Sequence, residues 1–179
     1  MHRTLLGSSS AALVLAASAL AQHPLQVSAQ VIAASGQAVP GVPGAVFGGA
    51  GYFEVPAVDD SGNVLFRGRF FGGGVGTGDD RAWFYGTPGN LALVAQGGAQ
   101  APGQPTGVTL STSAGAPGMT SLYRIGANGH MLAVSSLWNG GITSANDTAL
   151  IVGTPSSLST LVQESDAAPG TTNAQFSAT

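Results

Sequence analysis

The sequence carries an internal repeat that can be seen by aligning the chain with itself. At an offset of 67, residues 60–103 align with residues 127–170 without a gap, and 14 of 44 positions are identical. Turn formers dominate the identical positions, as in the matching triplets Gly86-Thr87-Pro88 and Gly153-Thr154-Pro155. A fixed period of tens of residues is typical of architectures that stack one supersecondary unit on the next. The chain is therefore predicted to contain two copies of one unit.

The dipeptide Pro-Gly occurs three times and marks the boundaries of the units. It stands at residues 40–41, 102–103 and 169–170, and a large apolar residue follows each pair after six or seven positions. A partial copy therefore precedes the two complete ones, and the beginning of another follows them. The predicted organisation is a signal peptide at 1–21, an orphan strand of a preceding unit at 22–40, unit 1 at 41–102, unit 2 at 103–169, and the start of a third unit at 170–179.

Each unit is predicted to form four short strands. Apolar or alternating runs lie between turn formers, which is the usual signal for strands. Asn128-Gly129 is predicted to form a two-residue hairpin loop, because both residue types tolerate positive φ, and Ser61-Gly62 occupies the same place in unit 1. The predicted strands are Phe53–Val58, Val64–Phe70, Ala82–Tyr85 and Leu91–Gln96 in unit 1, and Leu122–Ile125, Met131–Ser136, Thr148–Val152 and Leu158–Gln163 in unit 2.

Two of these runs, Ala82–Tyr85 and Ala149–Val152, are apolar without alternation. Such a run is typical of a strand that is covered on both faces. Each sheet is therefore expected to lie between neighbours, as the four-stranded blades of a β-propeller do. We predict an all-β fold of tandem four-stranded antiparallel repeats, β-propeller-like but partial, with an orphan strand near residues 27–34 in the ring-closing role. A closed β-sandwich or barrel is the alternative.

Charged residues are scarce, and their scarcity excludes several classes of protein. They make up 7% of the chain, against about 25% in an average soluble domain. The chain has no lysine, and its five arginines are too few for the clustered cationic patch that nucleic-acid binding requires. It also has no cysteine, so its stability must come from packing and backbone pairing rather than from disulfides.

Residues 1–21 are predicted to be a secretory signal peptide. His2 and Arg3 supply a basic start, residues 11–17 an apolar centre, and Ala19-Leu20-Ala21 a small-x-small cleavage site. The apolar centre is too short to span a bilayer, and no other stretch of about 18 apolar residues occurs. We therefore expect a secreted or cell-surface protein with no membrane span.

A longer pattern surrounds the turn glycines of unit 1, in the segments Gly62–Gly68, Gly72–Val75, Asp79–Gly98 and Ala101–Gly103. This pattern resembles the tandem repeat of uncharacterised exported proteins from planctomycetes and related bacteria, over about residues 30–179. Gln96 and Gln163 stand where that family usually has arginine. The resemblance implies repeats and export, and it implies no particular chemistry.

We predict no catalytic constellation, no metal site and no cofactor. After signal cleavage only His23 and His130 remain, too few histidines for a zinc site and poorly placed for a catalytic triad. An acid recurs before the third strand of each unit, as Asp80 and Asp147. The preferred interpretation is an Asx side chain that satisfies backbone donors in the preceding turn, and calcium binding is the alternative.

An aromatic residue recurs at equivalent loop edges, as Phe71 and Trp138. Such a ring can stack on a sugar, although it more often covers the edge of a sheet. The weak candidates for ligand binding are therefore Asp80, Asp147, Phe71 and Trp138.

The function predicted from these features is that of an exported, non-catalytic surface or matrix repeat protein. The alternative is an extracellular carbohydrate- or calcium-dependent binding module with a glycan partner, and an extracellular hydrolase ranks third. Two sheets that expect neighbours on both faces leave outer faces bare, and bare apolar faces favour association. Self-association through exposed sheet faces is therefore also predicted.

The signal peptide predicts a mature N-terminus at Gln22. When a bacterial host secretes the protein, intact-mass measurement should give the mass of residues 22–179, with or without cyclisation of the terminal glutamine. Secreted protein that retains residues 1–21 would refute the assignment.

Overall fold

A computed structural model describes residues 29–48, 52–111 and 119–177. The predicted signal peptide and its cleavage site lie outside the described residues. The fold is all-β and consists of antiparallel sheets, one of which is curled into a half-barrel. The glycine- and proline-rich turns of the sequence separate ten strands in this part of the chain.

Sheet 1 is built by the first five strands around β3. One edge of β3 pairs with β4, and its other edge pairs with β2 along its first half and with β1 at its end. The outer strand β5 pairs with β4. The strands are β1 (Ala45–Phe47), β2 (Phe53–Val58), β3 (Val64–Gly72), β4 (Arg81–Thr87) and β5 (Asn90–Gln96).

Sheet 2 has the same order of strands around its own long strand, β8. The strand β8 pairs with β9 on one edge and with β7 and β6 on the other, and β10 pairs with β9. The strands are β6 (Thr109–Leu110), β7 (Met119–Ile125), β8 (Met131–Trp138), β9 (Thr148–Thr154) and β10 (Ser157–Gln163).

All eight predicted strands are confirmed, and most extend by one to three residues beyond the apolar runs. The prediction of four strands per sheet was wrong, because β1 and β6 add a fifth. Both are too short to show alternation, and each pairs antiparallel with the end of the long strand β3 or β8. The orphan strand predicted near residues 27–34 is not formed over residues 29–34, the described part of that range.

The two sheets pack face to face around a shared core. Leu65 and Trp83 of sheet 1 are fully buried against the inner face of sheet 2, which supplies Met131, Ala133 and Ile151. Full burial of a large apolar side chain is worth about 1.5–3 kcal/mol, so this interface is a major source of stability. Among the described residues no strand pair joins the two sheets, so they do not close into one barrel.

The opposite face of sheet 1, its back, carries a second core of phenylalanines. Phe66 and Phe84 stack with ring centroids 5.5 Å apart, and Phe47 meets Phe84 edge-on at 5.0 Å. Ile32 and Ala33 pack on the same cluster from the segment that precedes β1. Both faces of β4 are therefore covered, as its unbroken apolar run predicted.

The corresponding prediction for β9 was half wrong. Ala149 and Ile151 are buried in the shared core, but Leu150 and Val152 on the other face are only partly buried. A strand buried on one face and partly open on the other can have the same composition as one buried on both. The run of apolar residues therefore did not reveal how many neighbours the sheet has.

The loop between β7 and β8 combines the predicted conformation with a different length. Asn128 and Gly129 both have positive φ, at 62° and 73°, as predicted. The backbone N–H of Gly126 donates to the carbonyl of His130 at 2.8 Å, which leaves three residues in the loop instead of two. Three-residue hairpin loops place glycine at the left-handed position, as Gly129 does here.

Gly129→Val should destabilise the protein by more than about 1 kcal/mol, because a β-branched residue is strained at positive φ. A Cβ at Gly129 would also lie 2.9 Å from Tyr85 Oη of sheet 1. Gly62→Val is the matched control, since Gly62 has a φ of 80° but no atom within 4 Å of an added Cβ. Urea unfolding should rank Gly129→Val below Gly62→Val, and equal midpoints for Gly129→Val and wild type would end the hairpin assignment.

Candidate functional site

A buried tyrosine of sheet 2 connects the two sheets through hydrogen bonds. Tyr123 Oη donates to the carbonyl of Glu54 at 2.5 Å and accepts from the backbone N–H of Arg67 at 3.1 Å. The pairing of β2 with β3 shifts register between Glu54 and Ala57, so Tyr123 bonds backbone groups beside that irregularity. Burial raises the pKa of Tyr123 above its ordinary value, so the hydroxyl stays protonated and serves as a neutral donor.

Arg67 extends this contact with its side chain. Its guanidinium is ion-paired with Glu54 on the neighbouring strand and donates to the backbone carbonyl of Met119 on β7. A largely buried cation needs such partners, because an unpaired charge is costly away from water. Arg67, Glu54 and Tyr123 therefore form a polar contact that holds β2, β3 and β7 together.

A second polar cluster centres on the carboxylate of Asp59, at the end of β2. It accepts from the backbone N–H groups of Ser61 and Asn63, both at 2.9 Å, from Asn63 Nδ2 at 3.0 Å and from Tyr85 Oη at 2.5 Å. These bonds favour the ionised form. They lower the pKa of Asp59 from 3.8 to about 2, with the Tyr85 bond as the largest cause and the Asn63 side chain next.

The chemistry available to this cluster is structural. Burial, followed by the bond to the ionised Asp59, raises the pKa of Tyr85 above 10.0. At neutral pH the tyrosine is therefore protonated and the aspartate ionised, and neither group is poised to exchange a proton as a general acid or base must. The aspartate instead holds the hairpin loop between β2 and β3 in place, and this loop lies beside Gly129 of sheet 2.

Asp80, one of the predicted site residues, is engaged in an ion pair. Its Oδ2 accepts from Arg69 Nε at 2.9 Å and from Arg69 Nη2, and its Oδ1 lies 4.0 Å from Arg81 Nε. The guanidinium of Arg69 also lies over the ring of Tyr52, 4.9 Å from its centroid. The carboxylate therefore stands among cations of its own chain.

Asp147 occupies the same place in sheet 2 with different side-chain partners. Its carboxylate accepts from Thr148 Oγ1 at 3.2 Å. The backbone carbonyls of both acids accept equivalent hydrogen bonds. The carbonyl of Asp80 accepts from the N–H of Phe70 at 2.9 Å, and that of Asp147 accepts from the N–H of Leu137 at 2.6 Å. The retained feature of the two positions is thus a backbone bond across the start of β4 and β9.

Phe71 and Trp138, the other predicted site residues, are exposed at the ends of β3 and β8. Phe71 pairs with Val46 of β1, and Trp138 pairs with Thr109 of β6. The structure brings each aromatic residue to the same end of its sheet as the recurring acid, because β3 and β4, like β8 and β9, run antiparallel. The four candidates therefore form two equivalent pairs, one in each sheet.

His130 is exposed after the hairpin loop of sheet 2, and His23 lies outside the described residues. The part of the chain that the structure describes contains no group of three or more histidine and acidic side chains placed to hold a metal ion. In the same part, no helix has the length and hydropathy needed to cross a membrane.

The sequence alone did not single out four residues of these polar clusters: Glu54, Arg67, Tyr85 and Tyr123. A signal existed for Arg67, which stands in an apolar run where the aligned residue of unit 2 is Val134. A charge inside an apolar strand implies a buried partner. Its ion-pair partner Glu54 is 13 residues away, whereas Tyr123 and Met119, which also bond Arg67, lie more than 50 residues away in the chain and could not be named.

The comparison with protein families finds one match along nearly the whole chain. The model of a family of unknown function, DUF7453, matches residues 5–179. No curated protein and no solved structure matches the chain.

The depressed pKa of Asp59 predicts a pH-dependent stability. Because the folded-state pKa lies below the unfolded one, Asp59 stabilises the fold fully above about pH 4, and this contribution is lost as the pH falls toward 2. The difference in urea midpoint between wild type and Asp59→Asn should therefore shrink over that range. Tyr85→Phe, which removes the largest cause of the shift, should confine the loss to a narrower range nearer pH 4. A difference that is constant with pH would contradict the assignment.

Proposed function

Since the chain belongs to the family of unknown function DUF7453, we propose a role from its own residues. The protein is an exported, non-catalytic repeat protein of a cell surface or extracellular matrix. The observation that carries this proposal is the use of its polar side chains. Asp59 with Tyr85, Arg67 with Glu54, and Arg69 with Asp80 are each joined in contacts that hold the strands of sheet 1 together.

The proposal includes the reading of the two sheets as stacked repeats, like blades of a partial propeller. It is supported by the position of the bulge in the last strand, which skips Val94 in β5 and Leu161 in β10, 67 residues later. Gln96 and Gln163 support it further. Each donates from Nε2 to a backbone carbonyl, that of Asp79 at 2.9 Å and that of Asn146 at 2.5 Å.

Export is the second part of the proposal, and its main support is the signal-peptide pattern of residues 1–21. A cysteine-free fold that relies on apolar packing and backbone pairing suits an oxidising compartment, where free thiols would be liable to oxidation. The secretion experiment described above tests this part separately from the structural role.

A carbohydrate- or calcium-dependent binding module is the second candidate function. The observation that favours it is the exposed pair Phe71 and Trp138, each at the same end of its sheet as a recurring acid. Exposed rings can stack on sugars, and acids at loop ends are the side chains that calcium prefers.

A glycan array in the presence and absence of calcium separates the two candidates. The structural role predicts no glycan binding and no shift in melting temperature when calcium is added. Glycan binding that is lost in Trp138→Ala or Phe71→Ala would replace it with the binding module. Leu122→Ala, an exposed residue of β7, serves as the control for loss of a large surface side chain.

A further inference from the structure

Three hairpins in the chain have the same pattern of backbone hydrogen bonds. Hairpin 1 comprises residues 36–47, hairpin 2 residues 98–110 and hairpin 3 residues 165–176. In each hairpin the N–H of the first residue donates to the carbonyl of the last at 2.9 Å, and the N–H of the last donates to the carbonyl of the second at 2.9–3.0 Å. The first and last residues are Gly36 and Phe47, Gly98 and Leu110, and Ser165 and Phe176. The three hairpins are therefore copies of one structure.

The positions of left-handed backbone also recur in the three hairpins. Each hairpin has positive φ at three equivalent places, which are Gly36, Gly41 and Gly44, then Gly98, Gly103 and Gly107, then Ser165, Gly170 and Asn173. Residues other than glycine rarely have positive φ, yet Ser165 and Asn173 have φ values of 72° and 60°. Hairpin 3 thus retains the shared conformation where two of the glycines are replaced.

Hairpins 1 and 2 each bind the sheet that follows them, and the first contact is made by the last residue of the hairpin. Phe47 lies opposite Phe70 at the end of β3, and Leu110 lies opposite Leu137 at the end of β8. Phe47 and Leu110 are both fully buried. The end of each hairpin is therefore an edge strand that pairs with the long strand of the next sheet.

The second contact is made by the Pro-Gly turn of the hairpin. A Cβ at Gly41 would lie 3.1 Å from Leu93 Cβ of β5, and a Cβ at Gly103 would lie 3.0 Å from the backbone nitrogen of Thr160 in β10. The carbonyl of Pro102 also accepts from the N–H of Thr160 at 3.0 Å and from its Oγ1 at 2.8 Å. Each Pro-Gly turn thus lies against the last strand of the sheet that follows it.

Hairpin 3 presents both contact points, and within the described residues neither is used. Phe176, which corresponds to Phe47 and Leu110, is 41% exposed, and no long strand of the described residues pairs with it. A Cβ at Gly170 would have no described atom within 4 Å. Burial of a large apolar side chain is favourable, and a binding element that is already folded loses little entropy when it binds.

We propose that hairpin 3 binds a third sheet of the same five-stranded type, joined to it in the same polypeptide as sheets 1 and 2 are joined to hairpins 1 and 2. Phe176 pairs with the end of the long strand of that sheet, and Gly170 lies against its last strand. This inference rests on the stacked-repeat part of the proposed function, and it names the partner of hairpin 3.

The two contact points explain why the partner is a whole sheet rather than a single extended peptide. In sheet 1 the hairpin contacts β3 and β5, and in sheet 2 it contacts β8 and β10. These strands are not neighbours, because β4 or β9 lies between them. A covalent link favours such a contact further, because it raises the effective concentration of the partner.

The test extends the full chain with a third unit copied from unit 2. Ser177 follows Phe176 as Ser111 follows Leu110, so a second copy of residues 112–177 is joined directly after Ser177. The proposal then fixes the register of the new contact. Gln175 should lie opposite the copied Trp138, as Thr109 lies opposite Trp138 in sheet 2.

Disulfide formation measures this register, because the chain has no cysteine of its own. Opposite residues of antiparallel strands have Cα atoms about 4.5–5.5 Å apart, within reach of a disulfide. Gln175→Cys combined with Trp138→Cys in the copy should therefore form a disulfide, detected by intact mass after alkylation with and without reduction. Thr109→Cys with Trp138→Cys in the original unit is the positive control. Gln175→Cys with Val134→Cys in the copy, four residues out of register, should remain reduced.

Two results of this experiment would overturn the proposal. One is the absence of the Gln175 disulfide when the Thr109 control forms. The other is an equal yield in the predicted and the displaced pair. Glycan binding in the array would overturn the structural role but would leave the register unchanged, so failure of the proposed function and failure of this inference are distinguishable.

Urea unfolding tests the burial of Phe176 without cysteine. Phe176→Ala should change the midpoint little in the natural chain and lower it clearly in the extended chain, where the ring is buried against the third sheet. Phe53→Ala is the matched control, since Phe53 is 39% exposed on sheet 1, and it should lower the midpoint equally in both chains. If Phe176→Ala has the same effect in both chains, hairpin 3 does not bind the added sheet and the proposal is wrong.

Discussion

The contact between the two sheets is the interaction on which the rest of the structure depends. Leu65 and Trp83 bury one face of sheet 1 against the inner face of sheet 2, in a chain that has no disulfide to stabilise it. Polar groups at the edge of this contact could be retained only if they found partners there. Tyr123 meets that requirement, because its hydroxyl hydrogen-bonds two backbone groups of sheet 1. The apolar core thus stabilises the contact between the sheets, and the hydrogen bonds of Tyr123 set the position of one sheet relative to the other.

The same contact explains why the two sheets differ although their strands correspond. A sheet that accepts Trp83 on its inner face needs small or branched residues there, and sheet 2 has Ala133 and Ile151. No other sheet of the described residues packs on the back of sheet 1, and Phe66 and Phe84 fill it instead. One end of the stack is thus closed by its own side chains, while the other end exposes leucines.

For the candidate site residues, the positions depend on the local sequence, whereas the surroundings depend on residues that are distant in the chain. That Asp80 and Asp147 stand at equivalent turns could be predicted, because their spacing is visible in the alignment of the two units. Their surroundings could not be predicted: Asp80 is ion-paired with Arg69, whereas the residue aligned with Arg69 in unit 2 is Ser136. A turn position can recur in both sheets because the backbone of the turn recurs, while the side chains that surround it differ between the two sheets.

The sequence by itself determined the strands and their turns. Apolar runs and the glycines between them determine the backbone conformation within a few residues. Gly86 and Gly153 are examples, because a Cβ at either position would lie 2.1 Å from a carbonyl oxygen of the next strand. Only the tertiary structure decided which faces are covered, how β1 and β6 pair, and where Tyr123 bonds. Those outcomes depend on residues far apart in the chain, whose proximity is created by the packing of one sheet on the other.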